Sequence, residues 1–133
     1  MLTAGWREWV SLPELEISRI KAKMDTGART SALHAFELNY FEEGQQRYVR
    51  FALHPFQKSK KLKKQKIIIC IARLKELRWV TDSGGHREER PVIETLLCLG
   101  GQQWPIELTL TSRDDMRFRM LLGRTAMRSK LII

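Results

Sequence analysis

The segment Lys23-Met24-Asp25-Thr26-Gly27-Ala28 sets a carboxylate, a hydroxyl and a glycine side by side. Asp-x-Gly alone is common turn chemistry. Here, however, an apolar stretch around Ile20–Met24 leads into the carboxylate and delivers Asp25 at the end of a strand. Gly27 then allows a tight backbone turn that a Cβ would block. Such a turn can hold a carboxylate and a hydroxyl at the mouth of a barrel. Far along the chain, Met120-Leu121-Leu122-Gly123-Arg124 is a second apolar run closed by glycine. A lone carboxylate cannot serve as general acid and general base in one step, whereas two at close range can share a proton, because like charges there cannot both ionise.

Other chemistries find less support. The three histidines, His34, His54 and His86, have no zinc-finger spacing, and HExxH is absent. There is no GxxxxGK[ST] loop for a nucleotide. Cys70 and Cys98 lie inside apolar runs and read as buried free thiols. No metal and no cofactor is expected. His34 lies beyond the Asp-Thr-Gly loop on the outgoing segment and reads as structural.

The elements that must position Asp25 are mostly strands, because the apolar pattern has period two. Tyr48, Arg50 and Ala52 alternate with Val49, Phe51 and Leu53. With Ala35–Phe41 and a turn at Glu42-Glu43-Gly44-Gln45 they predict a hairpin. Lys66–Ala72 reads as a buried strand. Arg78–Thr81 leads into a tight turn at Asp82-Ser83-Gly84-Gly85, and Pro91–Leu99 returns from it. Gly100-Gly101 turns again before Ile106, Leu108 and Leu110 alternate with polar neighbours, and Met120–Leu122 is a short apolar strand. Only Ala126–Lys130 reads as helical. One domain over residues 1–133 is expected, mostly β, with many short strands that suggest a barrel or a sandwich.

The 133 residues are 43% apolar and 29% charged, which suits a globular chain with one modest core. No apolar run is long enough for a membrane span, and the first residues lack the pattern of a secretory leader, so a cytoplasmic protein is expected. The formal charge of +9 favours acidic partners. Six of the cations fall in Lys58–Lys66 without an acid among them. That block is a solvated loop or an electrostatic docking patch for an acidic peptide, RNA or a ribosomal surface. Aromatic residues are not interleaved with it, so a stacking platform for single-stranded nucleic acid is not indicated there.

Asp-Thr-Gly-Ala followed much later by Leu-Leu-Gly-Arg and a short helix resembles the retropepsin family of aspartic peptidases. The segments KAKMDTGARTSALHA, SGGHREERPVIET and WPIELTLTSRDDMRFRMLLGRTAM resemble a small bacterial branch of it, often labelled ATP-dependent zinc proteases. Some members are encoded beside RimK, a ligase that adds glutamates to a ribosomal protein, and this branch is RimB-like. The resemblance implies a retropepsin-like closed barrel of six to eight strands with one short helix after Gly123, an aspartic endopeptidase and a homodimer whose two Asp25 carboxylates activate water. It implies that Thr26, Gly27, Ala28, Gly123 and Arg124 support the active-site loop and that Gly84 and Gly85 lie at the tip of a flap. The hairpin from about Phe36 to Phe56 reads as an insertion. The sequence departs from the retroviral pattern at Arg29, where an Asp usually follows DTGA and pairs with the Gly-Arg arginine. Arg124 therefore needs another partner, with Asp114, Asp115 and Glu94 as candidates. The apolar end Leu131-Ile132-Ile133 could pair in a dimer interface. The partners implied are a second copy of the chain and a protein or peptide substrate, acidic or ribosome-associated, with no membrane; nucleic acid is less favoured. The alternative is a retropepsin fold without activity, or a basic module that docks on RNA or a ribosomal protein.

Overall fold

The computed structural model describes residues 2–55, 66–81, 84–112, 118–128 and 131–132. In chain order the strands are β1 (Leu2–Thr3), β2 (Arg7–Leu12), β3 (Ile17–Met24), β4 (Ala32–His34), β5 (Phe36–Glu43) and β6 (Gln46–Leu53). They continue with β7 (Ile68–Thr81), β8 (Arg87–Leu99), β9 (Gln102–Thr111), β10 (Met120–Leu122) and β11 (Leu131–Ile132). Helix α1 (Arg124–Met127) follows β10, and a single 3-10 turn, Pro13–Leu15, separates β2 from β3.

Nine strands join in the order β2-β3-β10-β4-β9-β8-β7-β6-β5 among the described residues. A pairing of β2 with β8 at Ser11 and Cys98 closes the first six into a barrel. Closure follows from the alternation in each strand. On β3, for example, Ile20, Ala22 and Met24 point inward and are buried, and Leu33, Leu108 and Met120 join them in the core from β4, β9 and β10. Removing such side chains from water supplies the main stabilising term, roughly 1.5–3 kcal/mol for each fully buried large aliphatic residue.

The expected hairpin is present, with β5 and β6 joined by Gly44 and Gln45 at φ 58° and 70°. Two successive positive φ values give the tight turn whose twist matches paired strands. Glu42 and Glu43, expected in the turn, belong to β5 instead. β5 and β6 extend the sheet beyond the barrel through β7, as an insertion would.

The two expected strands Lys66–Ala72 and Arg78–Thr81 fall in one strand of 14 residues, Ile68–Thr81. This strand's first half is not buried as expected, since Ile69 and Ile71 at alternate positions stand about half exposed while Cys70 turns inward. Its first half pairs with β6 and its second with β8, with a bulge at Lys75 where the pairing changes hands. The charged run Arg73–Arg78 hid this continuity. Lys75 and Arg78 are held by carboxylates across the sheet: Lys75 pairs with Glu94 and Glu107 at 3.1 and 2.7 Å, and Arg78 with Glu107 at 3.1 Å. Glu94 and Glu107 stand directly opposite each other on β8 and β9, and Lys75 bridges the two like charges.

The helix also differs from expectation, since α1 starts at Arg124, directly after Gly123, and not at Ala126. Its first N–H groups have partners outside the helix: Arg124 N donates to Ala28 O at 2.7 Å and Thr125 N to Arg29 O at 3.2 Å. The Asp-Thr-Gly loop thus satisfies donors that a helix start leaves open. Lys130 lies outside the described residues. The chain ends pair within one molecule, β1 running parallel to β11. Cys70 is buried as expected and donates to Leu15 O at 3.4 Å, and burial, with Glu16 nearby, pushes its thiol up to about 11. Cys98 is only half-buried, contrary to expectation. Among the described residues no helix is long and apolar enough to cross a membrane, and no group of three His, Cys, Asp or Glu is placed to hold a metal.

Candidate active site

Asp25 follows β3 directly, and its backbone N–H donates to Leu122 O at 2.9 Å, beside Gly123. The two motifs that are about a hundred residues apart in sequence therefore touch, through the parallel pairing of β3 with β10. Gly27 N–H donates to Asp25 Oδ1 at 2.9 Å and fixes one carboxylate oxygen. Ala28 N–H donates to Asp25 O at 3.2 Å and closes the turn.

The steric demand falls on a different glycine from the one expected. Gly27 does not take a left-handed φ, and a Cβ there would meet only Asp25 Oδ1, at 3.2 Å. At Gly123 a Cβ would lie 2.6 Å from Thr30 O and 2.9 Å from Arg29 C, against backbone that cannot swing away. Gly123 is what lets the β10 end press on the loop. Its N–H donates to Ser31 Oγ at 3.0 Å. Ser31 is buried, and its carbonyl accepts from both the N–H and the Oγ1 of Thr109 on β9. Sequence reasoning passed over Ser31, whose part depends on three strands that meet only in the fold.

Arg124 resolves the question raised by Arg29. Its guanidinium donates to Gly27 O at 3.2 Å and Thr26 O at 3.4 Å, so its partners are backbone carbonyls of the loop itself. Glu94, a candidate partner, is engaged with Lys75. Asp114 and Asp115 lie outside the described residues. Thr125 Oγ1 adds a bond to Arg29 O at 3.0 Å. The loop is thus gripped by β10 and α1 from one side and by Gly27's own N–H from the other. His34 is buried on β4 and accepts from Arg119 at 3.3 Å. It stays with the framework.

Asp25 opens onto a cleft of about 1200 Å³. Gly27, Ala28 and Arg124 line it on the loop side, while Trp79, Val80, Thr81 and Gly84 line it from the end of the β7–β8 hairpin. Gly85, beside Gly84, has a φ of 81°, which favours glycine; it does not line the cleft. Asp82 and Ser83 lie outside the described residues. The wall between loop and hairpin holds an unforeseen polar cluster. Arg90, 7% exposed, donates to Glu88 at 2.6 Å and to Thr109 Oγ1 at 3.4 Å, and Thr111 Oγ1 also donates to Glu88. Arg90 and Thr111 face the cleft. Arg29, Arg78, Arg90 and Arg124 among its lining are set against two carboxylates, Asp25 and Glu107. Glu107 is held below the usual carboxylate range by hydrogen bonds from Arg78 and then Lys75.

Residues 3–133 match the family described as RimB-like, retropepsin-like aspartic endopeptidase RimB. The chain belongs to the RimB-like family. Curated relatives include a probable alpha-L-glutamate ligase of Shewanella pealeana, 43% identical over 129 residues, which cover 97% of this chain and 27% of the ligase. The protein of the same name in Parasynechococcus marenigrum is 42% identical over 132 residues, 99% of this chain and 28% of that protein. The chain thus spans about a quarter of the length of the curated relatives it matches. Among solved structures, Lpg0085 of Legionella pneumophila, described as of unknown function, superposes with a TM-score of 0.74 at 25% identity, covering 94% of this chain and 85% of that one. The RimB-like resemblance read from the motifs and the closed barrel agree with these findings.

Proposed function

We propose that the chain is one subunit of a homodimeric aspartic endopeptidase, each subunit supplying Asp25. The observation that carries the reading is the seating of Asp25: a carboxylate with one oxygen held by Gly27 N–H, facing a large cleft, on a loop anchored by Gly123, Arg124 and Ser31. Across a two-fold axis the two Asp25 side chains share one proton. The ionised carboxylate takes a proton from water, and the oxygen of that water adds to the peptide carbonyl carbon. The neutral carboxyl gives its proton to the carbonyl oxygen. Collapse of the tetrahedral intermediate breaks the C–N bond: the departing nitrogen takes up the proton carried by the first carboxylate, and one hydroxyl of the intermediate returns its proton to the second as the carbonyl re-forms. Thr26 bonds across the axis to hold the two loops, Gly27 lets the substrate backbone approach, and the β7–β8 hairpin with Gly84 and Gly85 closes over the substrate as a flap.

The substrate we infer is an acidic peptide or protein segment, and the site is cytoplasmic. Four arginines lining the cleft and the net charge of +9 support the acidic substrate. Lys58–Lys66 would steer such a substrate; apart from Lys66 this block lies outside the described residues. Peptidase assays on acidic and neutral peptide libraries, with wild type beside Asp25→Ala, test the reading. Cleavage by wild type and none by the variant is expected; equal cleavage by both would end it.

A second reading has one observation in its favour. Relatives in which such a domain makes up 27% of the length are named for ligation. A domain of this kind could serve there as a binding module, and in that case Asp25→Ala would leave partner binding and ligation intact.

A further inference from the structure

We propose that the outer face of β2 and β3 is a binding surface for single-stranded nucleic acid, separate from the peptidase cleft. The antiparallel register sets Arg7 opposite Lys23 and Trp9 opposite Lys21. Alternation sends Val10, Ile20, Ala22 and Met24 into the core and leaves Arg7, Trp9, Arg19, Lys21 and Lys23 on the outside. The Arg19 guanidinium stacks 3.8 Å from the centre of the Trp9 ring, and Lys21 Nζ lies 5.3 Å from it. Arg7 stands over the Phe118 ring at 5.9 Å, and Trp6 beside it is 70% exposed. Trp6, Arg7, Lys23 and Phe118 line a recess of about 270 Å³ at the end of the ribbon.

Two features select the ligand. First, among the described residues the outer face of β2 and β3 carries cations without acids. β3 contains no carboxylate, and Glu8 of β2 alternates to the other side and accepts from Gly5 N–H at 2.8 Å. Among the described residues none of the four cations is in an ion pair. Second, large aromatic rings are interleaved with the cations. An acidic peptide needs the cations alone and leaves Trp6 and the 40% exposed Trp9 in water. A single strand uses both, since its phosphates track the cations while its bases stack on indole and guanidinium planes. A duplex hides its base faces and fits less well. The sequence does not announce this platform, because Trp9 stands ten residues or more from Arg19 and Lys21 and only strand pairing brings them together.

The experiment is anisotropy of a labelled 20-nucleotide oligouridylate with the full chain, across a salt series. The affinity should fall with salt at a log–log slope of about 0.7 per phosphate contacted, or roughly 3 for four cations. Arg19→Gln with Lys21→Gln should lower that slope by about 1.4. Trp9→Ala should weaken binding about 5- to 150-fold at every salt concentration with the slope unchanged, and Trp9→Phe should restore most of it. Circular dichroism of each variant separates these effects from loss of fold. No binding of the oligonucleotide would overturn the proposal. So would a slope unmoved by the double variant but lowered by glutamines in Lys58–Lys66. Displacement by polyglutamate at equal affinity, with Trp9→Ala indifferent, would assign the face to acidic protein instead.

Discussion

Gly123 is packed so tightly on Thr30 that a Cβ at that position would stand 2.6 Å from the Thr30 carbonyl oxygen. Its backbone N–H meanwhile bonds Ser31 Oγ, so the contact is both steric and polar. Gly123→Ala should therefore destabilise the fold by about 1–3 kcal/mol, the usual cost of forcing atoms into a packed interior. Gly27→Ala meets only the Asp25 carboxylate and should cost much less stability while displacing that carboxylate and lowering kcat. Urea unfolding of the two variants beside their turnover separates these effects. Equal destabilisation by both would show that the loop is held in some other way.

Arg124 bonds the carbonyls of Thr26 and Gly27 from an exposed position. Arg124→Gln shortens the side chain and removes the charge, and should cost about 1–3 kcal/mol, the typical net value of two lost hydrogen bonds at about 0.5–1.5 kcal/mol each. Turnover should fall further than stability predicts, because the loop carrying Asp25 loosens. Arg124→Lys should recover little, since a single ammonium cannot reproduce the guanidinium geometry. Full recovery by lysine would mean that only the charge matters.

Glu107 joins β9 to Lys75 and Arg78 of β7 at the wall of the cleft. Its carboxyl is depressed, chiefly by the Arg78 hydrogen bond. The stability it contributes is fully present above the ordinary carboxylate range and is lost as pH falls through the depressed folded value. The groups are partly exposed, so the gain at neutral pH should be at most about 1 kcal/mol. Glu107→Gln should lose that increment at pH 7 and converge with wild type in acid. Denaturant unfolding from pH 7 down to pH 3 checks this; a difference that widens towards acid contradicts it.

Gly84 lines the cleft and Gly85 has a φ of 81°. Replacing both by valine strains the hairpin tip at Gly85, a position that L side chains rarely adopt. That strain should cost about 1–2 kcal/mol of stability while the fold is kept, and turnover should fall by more than this loss accounts for. Unchanged turnover would remove the flap from the mechanism.

Much of this arrangement was legible in the residues. Period-two alternation marks the hairpin strands, and Gly44 and the Gly100-Gly101 pair mark turns that do carry positive φ. The approach of Gly123 to the Asp25 loop was legible only through the resemblance of the two motifs to retropepsins. What stayed hidden depends on contacts between distant segments. The charged stretch of β7 does not read as a strand until Glu94 and Glu107 stand across from it. The helix begins at Arg124 because carbonyls of Ala28 and Arg29 receive its first donors. Ser31 and Arg90 look like ordinary polar residues until burial places one under Gly123 and the other in the cleft wall beside Glu88.

The central claim is that one site is built from two Asp25 carboxylates, and mixing tests it most directly. A fixed amount of wild type is titrated with Asp25→Asn, subunits are allowed to exchange, and peptide cleavage is followed. If each site needs both carboxylates, the activity per wild-type chain should fall in proportion to the wild-type fraction, as mixed dimers form and remain inactive. Activity per wild-type chain that stays constant through a large excess of a variant shown to exchange would mean that a single chain is competent, and would contradict the account.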